Sequence, residues 1–108
     1  MNVSKDLIAA SAIPLILAIL KENDNYGYAI IKRVKELSGN ELNWNEGMLY
    51  PVLHRLEEQE LIESYWRDSE VGRQRKYYRI TAGGLQELEA QKKQWEMVHS
   101  ALVKTWNE

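Results

Sequence analysis

The sequence predicts a mainly α-helical fold with one small β-hairpin, and two adjacent stretches carry the prediction. From Asn45 onward, Leu49, Val52, Leu53 and Leu56 recur at i, i+3, i+4 and i+7, a spacing that seats one helix face on a core and leaves His54 and Arg55 outside. Directly afterwards, Ile62–Arg67 and Arg75–Ile80 are rich in aromatic and β-branched residues and flank the polar, glycine-containing loop Asp68–Gln74. That pattern is a hairpin with a projecting loop.

The flanking segments read as helices. Leu7–Leu20 is an apolar run behind Lys5 that superficially resembles a secretory signal, but Asp6 stands in its lead and no small-residue cleavage pattern follows. Its 14 residues are also short of the ~20 needed to span a bilayer. It is expected to be a largely buried first helix, kinked by Pro14. Asp24-Asn25 offers turn and N-cap chemistry for a second helix running to about Ser38, with Ile30, Ile31, Val34 and Leu37 inward and Lys32, Arg33 and Lys35 outward. The three cations could meet phosphate or form a solvated face. Gly39 suits the left-handed position that closes this helix. Leu42–Asn45 is a short extended or loop segment, and Asn45 can cap the next helix. Pro51, a turn inside that helix, implies a local kink.

Ala82–Trp106 reads as one long helix after Thr81 as N-cap. Leu88, Trp95 and Leu102 fall seven residues apart, with Val98 three beyond Trp95, a heptad-like seam that one helix cannot bury alone. Its expected partners are the first helix and the same helix of a second subunit, in a two-fold homodimer. Leu88, Trp95, Val98 and Leu102 are the expected interface residues.

The 108 residues suit one domain with an appended helix, leaving little room for a buried catalytic cleft. The absence of cysteine excludes disulfides and thiol catalysis and fits a reducing cytoplasm. A formal net charge of -2 runs against the basic character common among nucleic-acid-binding domains. Distribution matters more than the sum. From Arg67 to Arg79, five cations (Arg67, Arg73, Arg75, Lys76 and Arg79) face two anions (Asp68 and Glu70), so the hairpin is locally positive and can attract phosphate.

A helix feeding directly into a basic hairpin is the local plan of a winged helix. The string Leu49-Tyr50-Pro51 with Arg55-Leu56-Glu57, then Leu61-Ile62, Trp66, Gly72-Arg73, Arg75-Lys76-Tyr77-Tyr78 and Ile80-Thr81, with Tyr26-Gly27-Tyr28-Ala29-Ile30 upstream, resembles the signature of the PadR family of bacterial transcriptional regulators. The resemblance implies a winged helix-turn-helix over residues 1–81, with residues 1–22 also serving the dimer interface, and a dimerisation helix over residues 82–108. It further implies a cytoplasmic homodimeric repressor on a palindromic operator. Glu60 departs from the family pattern, which has glycine before the Leu-Ile pair. Only glycine reverses the chain there without a Cβ penalty, so strain and a shifted wing are expected.

On the helix, Asn45, Met48, Tyr50, Pro51, His54 and Arg55 are the candidates for DNA contact. Asn and Arg read base edges, Tyr holds phosphate, and Met or Pro lies against a thymine methyl. On the wing they are Arg73, Gln74, Arg75 and Lys76, with Gly72 allowing close approach. Tyr78 and Ile80 share the inward face. The bland alternative is a winged-helix protein-interaction module without DNA binding.

Trp95 supports a ligand reading, because two indoles meeting across a dimer axis can sandwich a planar aromatic or cationic molecule. The competing reading is a filled apolar interface. Within the family the chain is most similar to the short multidrug-responsive branch, which implies a pocket on the axis. Leu7, Ile8, Ala12, Val98, His99 and Leu102 would be its further walls. A protein that only sequesters drugs is the remaining alternative, against which the basic wing argues. His54 and His99 lie on separate helices without a ligand repeat, so no metal site is expected. No phosphate loop, nucleophile elbow or zinc-hydrolase motif occurs, so neither cofactor nor enzyme activity is expected.

Overall fold

The computed structural model describes residues 1–107. Four helices and three strands follow in the order α1 (Lys5–Glu22), β1 (Asn25–Tyr26), α2 (Gly27–Leu37), α3 (Glu46–Glu58), β2 (Ile62–Asp68), β3 (Gln74–Ile80) and α4 (Ala82–Trp106). The strands form an antiparallel sheet in the order β1-β3-β2. Against this sheet lie the helices, and Ile16, Leu17, Leu20, Ile30, Val34, Leu49, Leu53, Leu56 and Ile62 make one continuous core. No described helix is long and apolar enough to cross a membrane.

The expected hairpin is therefore the larger part of a three-stranded sheet. Asn25, expected with Asp24 to supply turn and cap chemistry, instead pairs with Tyr78, and Tyr26 with Tyr77, as β1. Tyr26 occupies the N-cap position of α2 with no side-chain cap. The free edge of β3 offers this segment backbone partners that a turn would have left to solvent. Leu37, expected inward, is 51% exposed; it sits in the last turn of α2, beyond Val34, where the helix is leaving the core. Val52 and Ile31 are half-buried at the margin. Trp44, expected only as part of a loop, is buried in the core at the entry to α3.

Three of the helix ends obey the local chemistry read from the sequence. Asn45 Oδ1 accepts from the Met48 amide at 2.9 Å, and Thr81 Oγ1 accepts from the Gly84 amide at 3.0 Å. At the end of α2 the Asn40 amide reaches the Lys35 carbonyl at 2.9 Å and the Gly39 amide reaches Glu36 at 3.2 Å. Gly39 has φ +60°, so this is a Schellman closure with glycine in the left-handed position.

The end of α3 repeats that closure with a residue ill suited to it. The Leu61 amide donates to the Leu56 carbonyl at 3.0 Å and the Glu60 amide to Glu57 at 2.9 Å, while Glu60 itself sits at φ +60°. A Cβ in that region costs about 1–2 kcal/mol. Neighbouring bonds hold it there: Thr81 Oγ1 donates to the Glu60 carbonyl at 2.7 Å, and the Thr81 amide donates to the Leu61 carbonyl at 3.1 Å.

Helix α4 begins inside this core and ends outside it. Gly84 is buried so closely that a Cβ would collide with the Leu61 carbonyl and the Ile80 side chain, and Leu88 is 3% exposed. Leu88, expected at a seam between subunits, therefore belongs to the chain's own core. Beyond it Met97, Val98, Leu102 and Trp106 are all exposed. The 25-residue helix is ~37 Å long, which accounts for a 56 Å long axis.

Glu60→Gly relieves the left-handed strain, partly offset by unfolded-chain entropy, and should stabilise the protein by about 0.5–1 kcal/mol in urea unfolding. Glu60→Ala, which keeps the Cβ, should give no such gain. Separately, burial, aided by the Glu57 carboxylate, pushes the Tyr78 phenol from 10.0 up to about 12. A raised folded pKa favours the neutral, folded form, so this stability is complete below pH 10 and lost as pH rises through 12. Unfolding free energies measured across that window should fall more steeply for the wild type than for Tyr78→Phe.

Candidate nucleic-acid interface

Helix α3 and the wing meet along one edge of the molecule. The face of α3 opposite the buried Leu49, Leu53 and Leu56 carries Tyr50, Pro51, His54 and Arg55, all exposed, and Met48 is half-buried beside them. His54 Nε2 lies 3.0 Å from Glu58 Oε1. Asn45 spends one lone pair of its side-chain oxygen on the helix cap, so its amide NH2 and one remaining lone pair are left for outward bonds.

The wing is closed by a tight loop in which the Ser69 amide donates to the Arg73 carbonyl at 2.8 Å and the Gly72 amide to Ser69 at 3.1 Å. Gly72, at φ +81°, supplies the left-handed turn that other residues adopt only with strain. Arg73, Gln74 and Lys76 are exposed and Arg75 is half-buried. The side chains alternate: Ile62, Ser64, Tyr78 and Ile80 turn toward the helices, and Ser64 Oγ donates to Glu57 Oε2 of α3 at 2.6 Å. Tyr65, Arg67, Arg75, Tyr77 and Arg79 take the other face, as register Tyr65↔Tyr77 and Arg67↔Arg75 requires.

That outer face holds a lattice of tyrosines and arginines. Tyr77 stacks on Tyr65 with centroids 5.9 Å apart and meets the edge of Tyr26 at 5.4 Å. Arg75 lies 4.4 Å over Tyr26, Arg67 4.9 Å over Tyr77 and Arg79 4.7 Å over Tyr65. Tyr65 donates to Asp24 Oδ2 at 2.6 Å, a bond that raises its phenol pKa. Sequence reasoning missed this lattice. The period-2 Tyr and Arg positions were visible, but their pairing depends on cross-strand register and on β1.

Between the β3 edge, the start of α2 and α3 lies a cleft of about 330 Å³ lined by Tyr26, Gly27, Tyr28, Tyr50, Arg75 and Lys76. Gly27 is buried where a Cβ would strike the Tyr50 hydroxyl, so the start of α2 and α3 approach closely. Tyr28, 65% exposed, belongs to the family-like string from Tyr26 to Ile30 but was not among the contact candidates read from sequence. No acidic side chain lines the cleft. Two arginines nearby are answered by carboxylates: Arg33 makes a two-pronged pair with Glu22 at 3.0 and 2.9 Å, and Arg79 donates to Glu63 at 2.9 Å. The Arg33 of the outward trio is thus already neutralised, while Arg73 and Arg75 have no carboxylate partner among the described residues.

The residues grouped around Trp95 fall in three places. Trp95 itself, half-buried, shares a groove of about 390 Å³ with Ser11, Pro14, Leu15, Ala18, Lys21, Leu88 and Lys92. Ile8 and Ala12 instead line a separate cleft of about 420 Å³ between α1 and α3, with Trp44, Met48, Val52 and Arg55. Within the chain they do not meet Trp95, because residues 8 and 12 lie on a different face of α1 from residues 11, 14 and 18. Leu7, Val98, His99 and Leu102 are exposed.

Comparison with known proteins agrees with this architecture. A model of the "Transcriptional regulator PadR-like family" matches residues 16–90. An uncharacterized protein of Lysinibacillus sphaericus is 38% identical over 96 residues, covering 89% of this chain and 88% of the relative. The solved structure of a transcriptional regulator from Clostridium thermocellum has a TM-score of 0.85 at 32% identity, over 94% of this chain and 96% of the other. A PadR-like transcriptional regulator from Bacillus cereus likewise has a TM-score of 0.85, at 30% identity over 96% of this chain and 99% of the other. With the helix, the wing and the projecting fourth helix in place and the match spanning most of the core, the chain belongs to the PadR-like family of transcriptional regulators.

Proposed function

We propose that the protein is a homodimeric repressor that reads a palindromic operator, with α3 in the major groove and the wing on the adjoining backbone. The observation that carries this reading is the distribution of charge. A chain of net charge -2 leaves arginines without carboxylate partners on the wing, beside an exposed helix face bearing Tyr50, His54 and Arg55. Five cations against two anions between Arg67 and Arg79, set beside a helix of this shape, make a local positive field suited to a polyanion. Phosphate contacts from Arg73, Arg75 and Lys76 would set the register, and Asn45, His54 and Arg55 would read base edges.

The dimer follows from α4. Exposed Val98, Leu102 and Trp106, four residues apart, share one apolar face on a helix that projects from its own core, and a second copy of the same helix would cover it with two-fold symmetry. The two recognition helices would then lie in successive major grooves, about 10 base pairs apart. The groove beside Trp95 is the proposed site of a planar aromatic or cationic effector. Such a molecule can release DNA only by preferring a dimer geometry in which the recognition helices no longer match that spacing.

Duplex binding measured over a range of salt should weaken steeply with added salt, and Arg73→Ala with Arg75→Ala should flatten the slope by roughly one unit for each phosphate that is no longer neutralised. An unchanged slope would remove the wing from the interface. Val98→Glu with Leu102→Glu should shift sedimentation from dimer to monomer and weaken operator binding at the same time. A panel of planar aromatic dyes should quench tryptophan fluorescence saturably in the wild type and not in Trp95→Ala, where the other three of the four tryptophans remain. Equal quenching in both would place the dye elsewhere.

A further inference from the structure

We infer that Tyr26 is a positioning residue for DNA binding: its ring holds the Arg75 guanidinium ready for a backbone phosphate, tying the segment between α1 and α2 to the wing. This rests on the DNA-reading function proposed above and assigns a role in it to a residue outside both the recognition helix and the wing.

Arg75 stands directly opposite Arg67 across the two wing strands, and like charges so placed repel. Neither has a carboxylate partner among the described residues. Each instead lies on a tyrosine face, Arg75 at 4.4 Å from the Tyr26 centroid and Arg67 at 4.9 Å from that of Tyr77. Arg79, on the same sheet face, shows the contrast: its Nε donates to Glu63 at 2.9 Å, so part of its fork is spent. A guanidinium held by an aromatic ring has its position restricted while its N–H donors stay available. It is prepared for an anion without having been neutralised by one.

Tyr26 can restrict Arg75 because Tyr26 is itself held. Its backbone pairs with Tyr77, its ring meets Tyr77 at 5.4 Å and 60°, Tyr77 stacks on Tyr65 at 5.9 Å, and Tyr65 donates to Asp24 at 2.6 Å. The chain of neighbours runs from the segment before α2, through the sheet, and back to Tyr26. Arg75 is half-buried at the end of this sequence, whereas Arg67 and Arg73 are exposed. It also borders the cleft lined by Tyr26, Tyr28, Tyr50 and Lys76, where a phosphate would meet Arg75, unanswered by any carboxylate among the described residues, and Lys76, which lies 3.9 Å from Glu57. Arginine loses much side-chain freedom when it binds, and a ring that has already taken part of that freedom lowers the cost of binding.

The test is a double-mutant cycle read by salt-titrated binding to a mixed-sequence duplex of about three helical turns, a probe that needs no knowledge of the operator. Tyr26→Leu should weaken binding about 5-fold, and Tyr26→Phe, which keeps the ring, should bind like the wild type. In an Arg75→Ala background Tyr26→Leu should have no further effect, because the partner it positions is gone. Equal weakening in both backgrounds would overturn the proposal, as would wild-type affinity in Tyr26→Leu. The wild-type protein supplies a check that needs no substitution: the Arg75 Nε–H resonance should shift on addition of duplex, and a resonance that does not respond would also overturn it. The underlying function fails differently, through wild-type duplex binding that is absent or indifferent to salt.

Discussion

Two consecutive residues, Glu60 and Leu61, are where four elements of the fold are joined. Helix α3 closes on them through the Leu61 amide and the Leu56 carbonyl, 3.0 Å apart. Strand β2 starts from them, the end of β3 returns to them through the Thr81 bonds, and α4 begins under the Leu61 carbonyl at Gly84. The left-handed turn at Glu60 therefore sets the angle between helix and wing, and also the direction in which α4 leaves the core. A residue with a Cβ is held there against its backbone preference by bonds that each serve another element. Strain at such a point is tolerated because relaxing it would disturb every neighbour.

Beside this junction an acidic protein presents a locally basic edge. Carboxylates answer some of the cations in place: Glu22 takes Arg33, Glu63 takes Arg79, and Glu57 accepts from Ser64 while lying 3.9 Å from Lys76. These exposed pairs contribute little to stability individually. Their effect is on the map of charge, since they leave Arg73 and Arg75 unpaired where the wing passes the exposed face of α3. Glu57 has a second use, linking α3 to the wing through Ser64 and so bracing the angle that Glu60 begins.

Much of this was legible in the sequence because it depends on neighbours along the chain. The spans of α3 and α4, the Asn45 and Thr81 caps, the glycine closure of α2, the inward Tyr78 and the awkwardness of Glu60 all follow from local spacing and backbone sterics. What was hidden depends on packing across the fold. Strand β1 is two residues long, too short to carry a period, and its existence is decided by the free edge of β3. Trp44 is a lone aromatic in a polar loop, and nothing local says that α1 and α3 enclose it. Leu88 and Trp95 share a heptad-like spacing, yet Leu88 is consumed by the chain's own core and Trp95 lies at its margin. The candidate interface was legible as a set of side chains, but not the prior commitment of Asn45 to its cap or of Arg75 to the Tyr26 ring.

On the proposed reading, this junction and the projecting α4 together place two copies of one reading surface at a fixed separation. Hydroxyl-radical footprinting on a genomic fragment selected for binding to the protein tests that most directly. The expected result is two protected blocks with inverted-repeat sequence on one face of the duplex, about 10 base pairs apart centre to centre. A single protected block, or protection spread evenly without that phase, would contradict it.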